Sequence, residues 1–168
     1  ESRGVDEALA GIFTGSYWFT FTIGRIVAGL IANRVGVNRL VLSGLMGALL
    51  GTGLLIWNPG EIANVAAVGI IGLSIAPIFP AMMSGTRTRV GDQHAANTIG
   101  MQMTATGFGT AVIPSLMGVL AGQLSLEVIP VCLQAVYAGL LGVYILAARL
   151  RRQPAASVSA VEQVPAPQ

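Results

Sequence analysis

The feature that most constrains this chain is the spacing of its charges. Residues 8–33 carry a single charge, Arg25, and residues 40–60, 62–86, 95–126 and 128–148 carry none. A hydrocarbon core about 30 Å thick is crossed by about 20 apolar residues, each rising 1.5 Å along a helix. All five stretches are long enough, which predicts membrane-crossing helices over about 9–32, 39–57, 62–85, 96–121 and 127–149. Strands are excluded on two grounds: lipid offers backbone groups no partners, and the stretches lack the period-two alternation of a membrane barrel. A soluble domain carries about 25% charged residues. This chain carries 10%, with a mean hydropathy of +0.74. The expected fold class is an all-α membrane protein, a bundle of five transmembrane helices.

The joins between stretches agree with this. Trp57-Asn58-Pro59-Gly60 reads as a turn, Asp92 to His94 as a polar link, and Gly122 to Ser125 as a short connection. The expected organisation is an external segment over 1–8, a transmembrane bundle over 9–150, and a disordered cytoplasmic tail over 151–168, rich in Ala, Ser, Val, Pro and Gln. The chain opens on Glu1, with neither a basic leader region nor a cleavage site, and reads as a fragment of something longer.

Five crossings place the two termini on opposite faces. One face gathers Arg25, Arg34, Arg39, Arg87, Arg89, Arg149, Arg151 and Arg152 against Asp92 and Glu162. The other gathers Arg3 against Glu1, Asp6, Glu7, Glu61 and Glu127. Because cytoplasmic loops are enriched in basic residues, the C-terminus is expected in the cytoplasm and the N-terminus outside.

Several chemistries are missing. All nine basic residues are arginine, which removes lysine-dependent phosphate loops and Schiff bases. The single cysteine, Cys132, rules out a disulfide framework or a multi-cysteine zinc site. Ser74 would need a base within hydrogen-bond reach, and the only histidine, His94, lies in the link beyond the cytoplasmic end of the same stretch, too far away to serve. No aspartate falls inside a span. Neither catalytic residues, nor a metal, nor a cofactor, nor a nucleic-acid partner is expected.

Small residues mark faces where lipid-embedded helices meet. Gly11 and Gly15, Gly47 and Gly51, and Gly118 and Gly122 have that spacing. In the third stretch Pro77 and Pro80 lie three residues apart, so the helix must kink or unwind there, either as a packing feature or as part of a moving element. Tyr17, Phe21 and Arg25 share one face, with Trp18 beside them; the stripe suits a cavity wall or a core face. Arg25 itself either snorkels to the boundary or contacts a gate or substrate. Gln102 and Thr106 share a face of the fourth stretch, as hydrogen-bonding partners of other helices or as solute contacts.

The link after the first stretch carries Gly29, Asn33, Arg34, Gly36 and Arg39. This resembles the cytoplasmic-loop signature of the major facilitator superfamily, Gly-x-x-x-Asp-Arg-x-Gly followed by basic residues, with Asn33 where the aspartate is expected. The kinked Ala76–Pro80 segment and Gly107 through Pro114 look like the tenth and eleventh helices of the family's fucose-permease-like branch. The resemblance implies helices eight to twelve of a twelve-helix transporter, embedded in a cell inner membrane and missing its N-terminal half. It also implies alternating access, symport, and a small-molecule substrate, a sugar or other polar metabolite. Cavity-lining residues would then be Tyr17, Trp18, Arg25, Ser74, Phe79 and Gln102. The rival readings are a remnant without transport activity and a structural membrane subunit.

Overall fold

The structure, a computed structural model, describes residues 7–150, with side chains from Ala10 onward apart from Asn33. The expected external segment up to Asp6 and the expected tail over 151–168, with Arg3, Arg151, Arg152 and Glu162, lie outside the described residues. What is described is all helix: α1 (Glu7–Val35), α2 (Val37–Trp57), α3 (Glu61–Ile75), α4 (Ile78–Val90), α5 (Asp92–Gln123) and α6 (Val128–Leu150). α3 and α4 are halves of one span, Glu61–Val90. Four columns are long and apolar enough to cross a membrane: α2, the α3–α4 pair, α5 and α6. The first stretch differs from the other four. α1 has 29 residues, but Arg25 and the Thr, Tyr and Trp side chains between Thr14 and Thr22 dilute its apolarity.

Two joints need a backbone that only glycine adopts at low cost. Gly36 (φ 80) is the single residue between α1 and α2, and Gly91 (φ 78) the single residue between α4 and α5. Each caps the helix before it, Gly36 N–H to Ala32 C=O at 3.0 Å and Gly91 N–H to Arg87 C=O at 3.0 Å.

The third span breaks at Ala76–Pro77. Pro77 has no N–H to give the Leu73 carbonyl, and its ring crowds that turn. Pro80 falls in the first turn of α4, where its missing N–H costs little. Ala76 and Pro77 keep right-handed helical dihedrals, so the break is a kink with a freed carbonyl, which in a membrane needs protein around it. Here two glycines from neighbouring helices make the room. A Cβ on Gly24 of α1 would sit 2.7 Å from the Leu73 carbonyl oxygen, and one on Gly44 of α2 would sit 2.5 Å from that of Ser74. In return, Gly72 of α3 lets the Tyr17 carbonyl of α1 approach. The break is thus clamped from both sides.

α3 packs extensively against α1 and α2, and α2 against α6. The buried core joins Leu40, Val41 and Leu45 of α2 to Ala81 of α4, flanked by Leu141 and Tyr144 of α6. α5 stands apart: Ala95 is its one buried residue, as Pro130 is for α6.

Candidate functional site

At the proline break, α4, α5 and α6, with Ile75 at the end of α3, line an open cleft of about 530 Å³. Its walls are chiefly apolar, with Ile78, Phe79, Met82 and Met83 from α4 and Leu140 from α6. The polar groups are few. Gln102 and Thr106 come from α5 and Tyr137 from α6, and no charged side chain lines it.

Gln102 is held from one side. The hydroxyl of Thr86, a buried residue of α4, lies 3.1 Å from Gln102 Oε1 and 2.9 Å from the Met82 carbonyl. Its one proton is shared between those two acceptors. Thr106 spends its proton on the Gln102 carbonyl at 2.8 Å, which leaves its oxygen lone pairs free to accept. The Gln102 amide nitrogen and the Tyr137 hydroxyl complete a small hydrogen-bonding set against a broad apolar wall. Ligand pockets commonly have this composition, apolar surface for affinity and a few polar groups for orientation.

Phe79 and Gln102 are therefore brought to one cavity, from either side of the α4–α5 crossing. Ser74 lies elsewhere. Its side chain fills the space that a Cβ on Gly47 would need, so it belongs to the α2–α3 seam. Tyr17, Trp18 and Arg25 form a column along α1. Tyr17 stacks on Phe21 with centroids 5.8 Å apart, Trp18 meets Phe21 edge-on at 5.8 Å, and the Arg25 guanidinium lies 4.8 Å over the Phe21 ring. Arg25 is exposed and spends its charge on that aromatic face. Neither Tyr17, Trp18 nor Arg25 lines the cleft.

In the loop signature, Gly36 forms the one-residue joint, and Arg34 and Arg39 are exposed. Gly29 meets no neighbour within 4 Å, and the side chain of Asn33 lies outside the described residues. The polar contact at this end runs instead through Asn38. Its Oδ1 accepts from Arg89 of α4 at 3.0 Å and from the Tyr144 hydroxyl of α6 at 3.2 Å. Asn38, Thr86, Arg89, Tyr137 and Tyr144 were not singled out by the sequence reading. Tyrosines within apolar stretches were the available signal, since a hydroxyl in lipid needs a partner.

A family model described as Major Facilitator Superfamily matches residues 1–167 of the chain. No curated protein and no solved structure matches it.

Proposed function

The chain belongs to the major facilitator superfamily, a family of membrane transporters, and on that footing we propose that it is helices eight to twelve of a secondary active transporter working by alternating access. The observation that carries this reading is the cleft beside the clamped proline break. A discontinuous helix next to a mid-membrane cavity is how transporters combine a binding site with a moving element. In this reading α1 to α6 serve as the eighth to twelfth helices, with α3 and α4 together the tenth. The rest of the protein supplies the opposing half of the site.

The solute that suits these walls is uncharged and largely apolar, with a hydrogen-bonding end directed at Gln102, Thr106 and Tyr137. A free sugar would bring more hydroxyls than this half of the site has partners, so the opposing half would have to pair the rest, each costing about 1–3 kcal/mol if left unpaired. The likeness of Ala76–Pro80 to the fucose-permease-like branch is accordingly taken as one of helix architecture, not of substrate. Acidic residues among those described stay at helix ends: Glu7 and Glu61 in first turns, Asp92 in the first turn of α5, Glu127 just before α6. A proton symporter of this build draws its titrating carboxylate from the other part of the protein.

We assign the arginine-rich end to the cytoplasm. The sequence bias is eight arginines to one, and the Asn38–Arg89–Tyr144 contacts support grouping the ends of α2, α4 and α6 on one side.

The test uses the complete protein in proteoliposomes, with a panel of uncharged aromatic and aliphatic solutes and a panel of sugars. Gln102→Leu is expected to lower uptake of the preferred solute by at least about tenfold, since a polar contact in a dry site is worth about 1–3 kcal/mol. Phe79→Ala should raise the apparent KM. Uptake of any solute that ignores both substitutions would place the site elsewhere, and preferential uptake of sugars would overturn the substrate reading alone.

A further inference from the structure

At the end of the bundle where α2 begins and α4 and α6 finish, three hollows adjoin. The first, about 360 Å³, lies between those helices. Val41, Ile78, Met82 and Val143 make its apolar part, and Asn38, Arg89 and Tyr144 its polar end. The second, about 370 Å³, shares Asn38 and Arg89 and adds Arg39 and Thr88. The third, about 240 Å³, shares Tyr144 with the first and adds Arg149. No acidic side chain among the described residues lines any of them. Among the described residues the one acid at this end, Asp92, is engaged by Arg87 at 3.3 Å.

We propose that this place binds one anionic phospholipid, its phosphate on Arg89 with Arg39 and Arg149 around it, and one acyl chain in the slot between α2, α4 and α6. Three guanidinium groups with no counter-charge among the described residues surround one end of an apolar slot that is open at the level of the helix termini. A guanidinium holds phosphate through paired N–H donors. Arg89 is already aimed, because one of its nitrogens is fixed on Asn38 Oδ1, which Tyr144 also holds from α6. The site therefore spends little on ordering its main ligand. Inorganic phosphate would satisfy the arginines and leave the slot unfilled, whereas a neutral lipid would fill the slot and leave the arginines uncompensated. Basic pockets between membrane helices near the surface take such headgroups. The place is distinct from the solute cleft, although Ile78, Met82 and Leu140 of the wall between them face both.

The complete protein, purified in detergent, is incubated with phosphatidylglycerol, with phosphatidylcholine of the same chains, or with glycerol phosphate, and bound lipid is counted by native mass spectrometry. One phosphatidylglycerol is expected to remain, phosphatidylcholine to wash off, and glycerol phosphate to leave the bound lipid in place. Arg89→Gln and Arg39→Gln should each weaken retention about fivefold. Arg87→Gln, the same charge change beside Asp92, should leave it as it was. Met82→Trp keeps all the arginines, fills the slot, and should also lower retention; if Arg89→Gln does not fold, Arg39→Gln and Met82→Trp decide. Equal retention of the two lipids, displacement by glycerol phosphate, or an Arg87→Gln loss matching that of Arg89→Gln or Arg39→Gln overturns the proposal.

Discussion

Glycine plays opposite parts in two regions of this bundle. Where α3 crosses α1 and α2, Gly24, Gly44, Gly51 and Gly72 leave no space for a side chain, and a Cβ there would lie 2.5–2.7 Å from a neighbouring atom. On α5 and α6 every glycine meets nothing within 4 Å. The sequence pattern is alike in both regions, with small residues spaced along apolar helices. What differs is whether another helix lies across the face. In lipid there is no hydrophobic drive between helices, so close approach is what stabilises a crossing. The α1–α2–α3 unit has that approach. α5, with one buried residue, has almost none among the described residues.

The sharpest way to break this contrast is a matched pair of alanines. Gly44→Ala pushes a methyl group against the Ser74 carbonyl, a backbone atom that cannot rotate away, beside the proline break. The expected loss is about 3 kcal/mol or more, at the upper end for overpacking, and is read as lowered thermal stability and folded yield in detergent. Gly118→Ala on α5 meets open space and removes a glycine from a helix interior. It should be neutral or stabilising by up to about 1 kcal/mol. Equal losses for the two substitutions would mean that α5 is packed as tightly as α3, and the comparison would fail.

This contrast also marks where the sequence stops being legible. Four of the five expected spans could be read because lipid forbids charge over about 20 residues, and the break because proline lacks a donor. The pair Gly47 and Gly51 does meet α3, through Ser74 and Ile71, while Gly11 and Gly15, and Gly118 and Gly122, meet nothing within 4 Å. Spacing announces a face that is able to pack; crossing geometry, which no local pattern encodes, decides whether it does. The cleft has the same history. Gln102 is legible as an amide in a membrane helix and Phe79 only through the family resemblance, and they share a wall. Thr86 carries no signal of its own in the sequence, yet it orients Gln102 from the next helix. Ser74 looked like a polar group available to a cavity, but an empty glycine surface opposite it took the side chain. Nothing in its own helix signals that partner.

A middle-sized effect is expected where the tight region reaches outward. Thr52 of α2 is fully buried and contacts Gln134 Oε1 of α6, while its hydroxyl also lies 2.9 Å from the Ala48 carbonyl. Thr52→Val keeps the shape and removes the interhelical contact. Such bonds between membrane helices average about 0.6 and reach about 1.7 kcal/mol, and burial places this one near the upper figure. A double-mutant cycle with Gln134→Leu, followed by thermal unfolding, isolates the pair. A coupling near zero would show that α6 is held by the apolar core around Leu141 and by the Tyr144–Asn38 contact without help from Thr52, and would extend the loosely held region to this part of α6.

The smallest effect belongs to the contact that looks strongest on paper. Arg87 of α4 and Asp92 of α5 pair at 3.3 Å across the Gly91 joint, but their side chains are 75% and 84% exposed. Water and salt screen such a pair, and measured values for exposed ion pairs run from about 0.2 to 1 kcal/mol. The two residues are also tethered by a short stretch of chain, so their pairing reports on the turn and adds little to how α5 is held. Asp92→Asn should therefore change thermal stability by less than about 0.5 kcal/mol, and raising the salt concentration should erase even that. If it instead cost as much as Thr52→Val, and the cost survived high salt, α5 would be anchored to the tight region through its first turn. The face left open along the rest of α5 would then be a surface held in place from one end, and the division drawn between the two regions would have to move from α5 to α6.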